Sequence, residues 1–206
     1  MHNPHSELIS PPEWDALSPQ LHGGSQWNAP PPDRDFNVTR VPLTVLMWNV
    51  RGINGEKKQR YLDWLVGEQR PDVVMFNETK LTSMLYLDGY FSHQTLLKRS
   101  GGCITFSNLR NHRRVKALGT YLNWSKIPLG SEEVHILNFY LEPGHDSFVV
   151  KRASTVIALA KSIVRQDAAA KVIIGGDLNG QLQKVHTALV QAGFTPALRE
   201  GVVTHR

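Results

Sequence analysis

Four short apolar runs, each ending in a polar side chain, constrain the fold of this chain more than any other feature of its sequence. The runs LTVLMWN, DVVMFNE, HILNFY and KVIIGGD end at Asn49, Glu78, Tyr140 and Asp177, and Asn179 follows two residues after the last. Runs of this length and composition predict buried β-strands. If these strand ends converge, the sequence predicts a polar pocket able to hold a metal ion.

Residues 1–42 have a different composition from the rest of the chain. Eight of the twelve prolines lie there, including Pro30, Pro31 and Pro32, and no strand or helix period is sustained. Such a segment buries too little apolar surface to offset the entropy lost on ordering. We therefore predict a disordered tail over 1–42 and one folded domain over 43–206.

The segment 43–206 predicts strands interspersed with helices. The strands are expected at 43–48, 72–76, 103–107, 115–124, 134–140 and 172–175, and the helices at 56–69, from 146 or 147 to about 169, and at 183–191. The middle strands have no helix between them, so the pattern predicts mixed α/β architecture rather than a strict doubly wound sheet.

Positive charge is concentrated in the middle of the chain. The net charge is +5, and the stretch 89–131 contains no Asp or Glu. Aromatic residues are interleaved with its cations, and a one-signed stretch of this kind attracts phosphate backbones. A solvated basic surface without a ligand is an equal alternative on charge alone. The cations are Lys98, Arg99, Arg110, Arg113, Arg114, Lys116 and Lys126.

Several classes of protein are disfavoured by composition. Cys103 is the only cysteine, so an internal disulfide or a cysteine zinc cluster cannot form. The sequence has no apolar run of the roughly 18 residues that a membrane span needs. No charged start precedes an apolar segment at the N-terminus, which argues against a secretory signal. We expect a protein of the nucleus or cytoplasm that does not enter a membrane.

Two strand ends carry carboxylates. Asp177 and Asn179 would share one face if the chain stayed extended, and two preceding glycines permit close backbone approach. An ordinary turn is the alternative, because Gly, Asp and Asn favour turns. Glu78 offers the carboxylate oxygen that Mg²⁺ prefers. Its alternative is a surface ion pair with Lys80.

The other two strand ends carry a carboxamide and a phenol. Asn49 could bind a metal ion or orient Glu78, or it could simply cap a loop. Tyr140 could donate a hydrogen bond to a phosphate oxygen, or it could be a half-buried residue at the end of a sheet. For each residue taken singly, the structural alternative is favoured. The occurrence of all these residues in order favours a functional site.

Five motifs together resemble one family. The order and spacing of four motifs are similar to those of the endonuclease/exonuclease/phosphatase superfamily of Mg²⁺-dependent enzymes: WNVRG (48–52), NETK (77–80), NFYLEP (138–143) and GDLNG (176–180). A fifth, RSGGCITF (99–106), resembles the glycine-led strand of that superfamily. The similarity extends over about 43–206 and is greatest to the apurinic/apyrimidinic-endonuclease-like domain of non-LTR (LINE-type) retrotransposons. It implies a four-layer α/β/β/α fold, in which two β-sheets form a sandwich flanked by helices.

The resemblance also implies residue roles. Glu78 would be the main ligand of Mg²⁺ (or Mn²⁺), with Asn49 and Asp177 beside it. Asp177 would also orient or deprotonate the attacking water, Asn179 would hold the scissile phosphate or the metal, and Tyr140 would bind a phosphate oxygen. The partner would be DNA, and the chain would act as a monomer or within a polyprotein that includes a reverse transcriptase. Its backbone contacts would come from Arg51, Lys98, Arg99, Arg110, Arg113, Arg114 and Lys116.

One part of the family pattern is absent. The 206 residues contain no Ser-Asp-His, the motif whose His polarises the phosphate. His205, in GVVTHR, matches an earlier position of the family pattern and does not replace that His. We therefore expect a sandwich that is incomplete at its C-terminus and a chain that nicks DNA weakly or not at all. The alternatives are a fragment of an active endonuclease, a non-catalytic nucleic-acid-binding remnant, a superfamily phosphatase or phosphodiesterase acting on a lipid or nucleotide, and an α/β binding module whose polar strand ends are only turns.

Overall fold

A computed structural model describes residues 43–95, 101–109, 113–118, 121–129, 132–144, 147–179 and 182–197. Within these ranges the chain forms eight strands and three helices. In chain order they are β1 (Val45–Asn49), α1 (Glu56–Gln69), β2 (Val73–Asn77), β3 (Phe91–Gln94), β4 (Cys103–Ser107), β5 (Arg113–Leu118), β6 (Leu122–Leu129), β7 (Glu132–Tyr140), α2 (Ser147–Gln166), β8 (Lys171–Asp177) and α3 (Leu182–Val190).

The strands form two mixed sheets of four. The first has the order β1-β2-β4-β3 and the second the order β5-β6-β7-β8. The strands β1 and β2 are parallel, with Asn49 opposite Asn77, and β7 and β8 are parallel, with Tyr140 opposite Asp177. All other pairs are antiparallel. Each parallel pair therefore ends with polar residues side by side.

The helices cover the outer faces of the sheets, which gives the predicted four layers. The helix α1 packs Leu62 and Val66 against Val74, Phe76 and their neighbours on the first sheet. On the second sheet, α2 and α3 pack against β6, β7 and β8. Between the sheets lies an apolar cluster of Val73, Met75, Leu109, Ile127, Val134 and Ile136. Burial of this surface is the main driving force for the fold.

The space between the sheets also contains a pair of buried carboxamides. The Nδ2 of Asn77 donates to the Oδ1 of Asn138 and, at 2.9 Å, to the carbonyl oxygen of Phe139. The Nδ2 of Asn138 donates to the carbonyl oxygens of Ile104 at 2.7 Å and Phe76 at 3.3 Å. Both side chains are at most 1% exposed. These bonds join the sheets one residue before Glu78 and two before Tyr140, so they fix the spacing of the strand ends.

Most predicted elements are confirmed. The prediction of one strand over 115–124 is wrong, because β5 and β6 form an antiparallel hairpin in which Leu118 lies opposite Leu122. Strand period alone does not mark where a hairpin turns. The strand β3 was missed, since FSHQ has little apolar character. The helix α2 ends at Gln166 rather than near 169, where Ala170 N–H bonds the Asp167 carbonyl in a turn.

Some predictions lie beyond the described residues. The tail over 1–42 lies outside them, as do Lys98, Arg99 and Arg110, and the domain boundaries stay a prediction. The helices in the described part of the chain are too short or too polar to cross a membrane.

Candidate functional site

The polar strand ends meet at one edge of the sandwich. Asn49 ends β1 and Glu78 follows β2 in the first sheet, while Tyr140 and Asp177 end β7 and β8 in the second. A hydrogen bond from the Nδ2 of Asn49 to the Oδ2 of Asp177 joins the two sheets there. These residues are 128 positions apart in the sequence. The predicted convergence of strand ends is therefore present in the structure.

Hydrogen bonds hold the Asp177 carboxylate at both oxygens. Its Oδ2 accepts from Asn49, and its Oδ1 accepts from the backbone N–H of Asn179 at 2.9 Å. The Oδ1 of Asn49 in turn accepts from the N–H of Arg51 at 3.0 Å. Asn49 thus caps a loop, as its alternative interpretation proposed, and it also orients a carboxylate. That carboxylate belongs to Asp177 rather than to the predicted Glu78.

Asn179 does not share an extended face with Asp177. Its φ is 42°, which places it in the left-handed region, and its N–H turns back onto the Asp177 side chain. Its Nδ2 donates to the carbonyl oxygen of Leu141 at 2.6 Å. The expectation of two side chains on one face is therefore wrong, because the strand ends at Asp177 and a turn begins. Asn179 remains beside the site through this turn.

Glu78 lies among cations. The Nζ of Lys80 is 2.7 Å from its Oε1, so the predicted ion pair is present. Lys58, in the first turn of α1, donates from its Nζ to the carbonyl oxygen of Val50. Burial and the charges of Arg51 and Lys80 lower the pKa of Lys58, while the charge of Glu78 raises it. The Glu78 carboxylate is thus close to Lys80 and acts on the charge of Lys58. The charges of Arg51 and Lys80 also act on Lys58.

Backbone strain accumulates around the same residues. Four of the non-glycine residues with positive φ in the described part of the chain are Arg51 at 47°, Glu78 at 53°, Lys80 at 53° and Asn179 at 42°. Side chains other than Asn and Asp adopt this region rarely. Such strain persists where the surrounding structure imposes it, and it is common at functional sites.

Tyr140 lies opposite Asp177 where β7 pairs with β8. Its side chain is buried, at 5% exposure rather than the half-buried state of the alternative interpretation. Burial first, and then the negative charges of Glu78 and Asp177, raise the pKa of Tyr140 to about 12. The charges of carboxylates from both sheets therefore act on this phenol. The phenol stays protonated at neutral pH and can donate a hydrogen bond.

Two glycines in β8 allow the close approach that the sequence predicted. A Cβ on Gly175 would lie 2.6 Å from the Sδ of Met47 and 2.9 Å from the Cε of Met75. A Cβ on Gly176 would lie 2.7 Å from the Cδ2 of Phe139 and would also meet its carbonyl oxygen. Neither glycine has a positive φ. Their role is therefore to admit neighbouring groups to the strand that carries Asp177.

The donor set at this edge suits a hard divalent cation. It comprises the carboxylates of Glu78 and Asp177 and the carboxamide oxygen of Asn49. Mg²⁺ typically uses one or two carboxylates and keeps several waters, so this set fits it. No cluster of three or more His, Cys, Asp and Glu side chains able to hold a metal ion occurs in the described ranges. A metal here would therefore depend on few protein ligands.

The predicted DNA-binding residues are only partly placed by the structure. Arg51 is exposed at the site, and the backbones of Arg113, Arg114 and Lys116 form part of β5. The predicted site residues did not include Lys58, although it lies in the first turn of the helix that follows Arg51.

The fold of this chain is similar to that of several solved structures. No family model and no curated protein sequence matches the chain. Structural similarity is found to an AP endonuclease from Archaeoglobus fulgidus (TM-score 0.62, 14% identity, 75% of this chain and 72% of that one).

Two further solved structures are similar. One is the endonuclease domain of TRAS1, a telomere-specific non-LTR retrotransposon (TM-score 0.57, 12% identity, 78% of this chain and 75% of that one). The other is a truncated TDP2 from Caenorhabditis elegans (TM-score 0.51, 21% identity, 66% of this chain). This chain spans 62% of the length of that TDP2 chain. At these identities the similarity establishes the fold alone.

Proposed function

We propose that this chain carries the site of a Mg²⁺-dependent (or Mn²⁺-dependent) phosphodiester hydrolase that nicks DNA. The observation that carries the proposal is the hydrogen bond from Asn49 to Asp177 across the two sheets. The nearby Tyr140 phenol has a pKa that the charges of both Glu78 and Asp177 raise. Together these observations support an acidic donor set and a protonated phenol at the same edge of the sandwich. Phosphodiester hydrolysis needs such a combination of metal-binding and hydrogen-bonding groups.

Each residue then has a task that its contacts support. Glu78 and the oxygen of Asn49 would hold the metal ion, which when bound neutralises phosphate charge and stabilises the leaving oxygen. Asp177, oriented by its hydrogen bonds, would position the attacking water and accept its proton. Tyr140 would donate its O–H to a phosphate oxygen, and Asn179 would steady the turn beside it.

Charge supports DNA as the substrate. Arg51, Lys58 and Lys80 border the acidic donors, and β5 brings Arg113, Arg114 and Lys116 into the second sheet. Cations around a phosphate-binding pocket position a nucleic-acid backbone without reading its sequence. We infer a nicking endonuclease of the non-LTR retrotransposon type, which the five motifs and the similarity to the TRAS1 domain support.

The cleavage rate of this chain should be low. The family resemblance implies a Ser-Asp-His whose His polarises the phosphate, and these 206 residues contain no such motif. Residues of a catalytic site act as a unit, and loss of one member typically costs orders of magnitude in rate. We therefore expect slow nicking that requires excess protein and long incubation.

Nicking of a supercoiled plasmid tests the proposal. We expect slow conversion to the open circle with Mg²⁺, none with EDTA, and loss of at least about tenfold in Glu78→Gln and Asp177→Asn. Glu56→Gln is the matched control, because Glu56 is an exposed carboxylate on α1 that pairs with Arg60. Nicking that survives EDTA, or that Asp177→Asn leaves unchanged, would contradict the assignment.

A non-catalytic nucleic-acid-binding role is the second candidate. The ion pair between Lys80 and Glu78 favours it, since the ammonium supplies charge where the metal would otherwise supply it. A ligand that binds only the folded state raises the melting temperature. A Mg²⁺-dependent rise that Glu78→Gln removes would support the metal site, and its absence together with DNA binding would favour the second candidate.

A further inference from the structure

A guanidinium held between two aromatic rings lies beside the candidate site. Phe148 is in the first turn of α2, and Arg152 follows one turn later. The Cζ of Arg152 lies 4.0 Å from the centroid of the Phe148 ring and 4.7 Å from that of Tyr121. Both are cation–π distances. We call this set of three side chains the aromatic stack.

Two contacts tie the aromatic stack to the strand end that carries Tyr140. The backbone carbonyl of Tyr121 accepts the N–H of Tyr140 at 2.8 Å. The Nη1 of Arg152 lies 3.2 Å from the Oε2 of Glu142, two residues beyond Tyr140. The aromatic stack is therefore anchored to the chain on either side of the phenol.

The outer ring of the aromatic stack is open to solvent. Phe148 is 55% exposed although the guanidinium covers one of its faces, so the opposite face contributes to the exposed surface. Arg152 is held more firmly, with a side-chain exposure of 15%. Its Nε is buried without a hydrogen-bond partner in the described part of the chain. The hydrogen bonds of this guanidinium are incomplete, so its contacts with the two rings help to hold it. The guanidinium in turn supports one face of the Phe148 ring.

We propose that the open face of Phe148 is a stacking platform for an unpaired base of the DNA strand held at the candidate site. This inference rests on the proposed function, because it assigns the base-binding part of the same substrate. A supported, exposed ring next to a phosphate-binding pocket provides the two components of single-strand recognition, a charged groove and an aromatic surface. Bases within a duplex already have both faces covered, so the platform selects a frayed, flipped or single-stranded nucleotide.

Stacking on the platform would be tolerant of base identity. Every base has a π-face, so affinity should depend on the presence of a base and little on which base it is. The platform would therefore bias cleavage towards unpaired sites rather than towards a sequence.

The test compares two DNA oligonucleotides of equal length and charge, measured with the full chain in EDTA by fluorescence anisotropy. One carries bases and the other has an abasic residue at every position. Stacking on an aromatic side chain contributes about 1–3 kcal/mol per base, so Phe148→Leu should weaken binding of the base-bearing strand roughly 5-fold to 100-fold. It should leave the affinity for the abasic strand unchanged.

Two further variants sharpen the comparison. Phe148→Trp keeps an aromatic surface and should retain binding, and the fluorescence of its added indole should be quenched by the base-bearing strand alone. If Phe148→Leu fails to fold, this quenching tests whether a base stacks at position 148. Phe91→Leu is the matched control, since Phe91 is 57% exposed on β3 and lies opposite Ser107, at the far end of the sheet from the site. It should have no effect.

An equal loss for both strands, a similar loss in Phe91→Leu, or an added indole in Phe148→Trp that the base-bearing strand leaves unquenched would overturn the platform. These outcomes are independent of catalysis. If Asp177→Asn leaves nicking unchanged while Phe148→Leu still weakens base binding, the proposed function fails and the platform stands. If nicking depends on Asp177 and base binding ignores Phe148, the platform fails and the proposed function stands.

Discussion

Single side chains at the site edge have properties that their sequence neighbours do not reveal. Cys103, at the start of β4, is fully buried, and its Sγ donates to the carbonyl oxygen of Tyr121 at 3.6 Å. Burial raises its pKa to about 12, an effect that a hydrogen bond from Asn77 partly offsets. The thiol is therefore inert at neutral pH, because the thiolate is the reactive form.

This shifted pKa predicts alkaline destabilisation. An unfolded chain releases the thiol proton near about pH 8.5, whereas the folded chain holds it to about pH 12. Between these values the unfolded state binds fewer protons, so the free energy of unfolding falls as pH rises, and the contribution is intact below about pH 8.5. The loss is on the order of 1 kcal/mol per pH unit at most.

Urea unfolding at about pH 8 and about pH 10.5 measures this effect. Cys103→Ala and Cys103→Ser have no group that titrates at this position, so both should lose about 2–3 kcal/mol less than the parent chain between the two pH values. An equal loss in all three proteins would show that Cys103 is not the cause.

At the scale of elements, hydrogen bonds join the two sheets directly before the strand ends of the candidate site. Asn77 on β2 and Asn138 on β7 donate to one another's sheet and leave little freedom for Glu78 and Tyr140 to separate. A buried polar pair of this kind is stabilising only while both members are satisfied.

Removing Asn138 should therefore be costly. Asn138→Ala takes a hydrogen-bond partner from the carbonyl oxygen of Ile104 and from the amide of Asn77 inside a buried interface. We expect a loss of about 2–4 kcal/mol in the free energy of unfolding, measured with urea. Ser154→Ala is the control, because its Oγ donates to the Val150 carbonyl on an exposed helix face, and it should change stability by less than about 0.5 kcal/mol.

The glycines of β8 provide a second test at this scale. Gly176→Ala would force a Cβ against the carbonyl oxygen and ring of Phe139, so we expect destabilisation of about 1–3 kcal/mol and displacement of Asp177. Gly55→Ala is the comparison, since nothing lies within 4 Å of its added Cβ. A thermal melt in which both variants match the parent chain would rule out the close-approach explanation.

At the scale of the molecule, charge and fold act together. The chain carries a net charge of +5, and its acidic donor set lies in a setting bordered by cations. In the proposed function, the surrounding cations would attract a substrate phosphate, and a metal ion held by the two carboxylates would neutralise its charge.

Salt dependence of duplex DNA binding tests this arrangement. Each neutralised phosphate contributes about 0.9 to the slope of log K against log salt. Replacing Arg113, Arg114 and Lys116 by Gln should reduce that slope by up to about 3. A control with equal charge loss replaces Lys161, Arg165 and Lys171, which lie on α2 and on β8, the strand at the opposite edge of the second sheet from β5. It should reduce the slope little. Equal reductions would indicate attraction by net charge alone.

The elements and the list of candidate residues could be predicted from the order of residues alone. Apolar periods located α1, β2, β4 and β8 to within a few residues, because burial of one face dictates those patterns. The strand-end positions of Asn49, Glu78, Tyr140 and Asp177 followed from the same runs. The β5–β6 hairpin and the short β3 could not be located, since turn position and edge pairing depend on neighbours distant in the chain.

The contacts among these residues depend on the tertiary structure. Asn49 orients Asp177 across the interface, Asn179 turns back instead of pointing outward, and Lys80 pairs with Glu78. Arg152 acquires its place between two rings only when α2 docks on the second sheet. Contacts between residues far apart in sequence arise from the packing of sheets and helices, and periodicity along the chain carries no information about them.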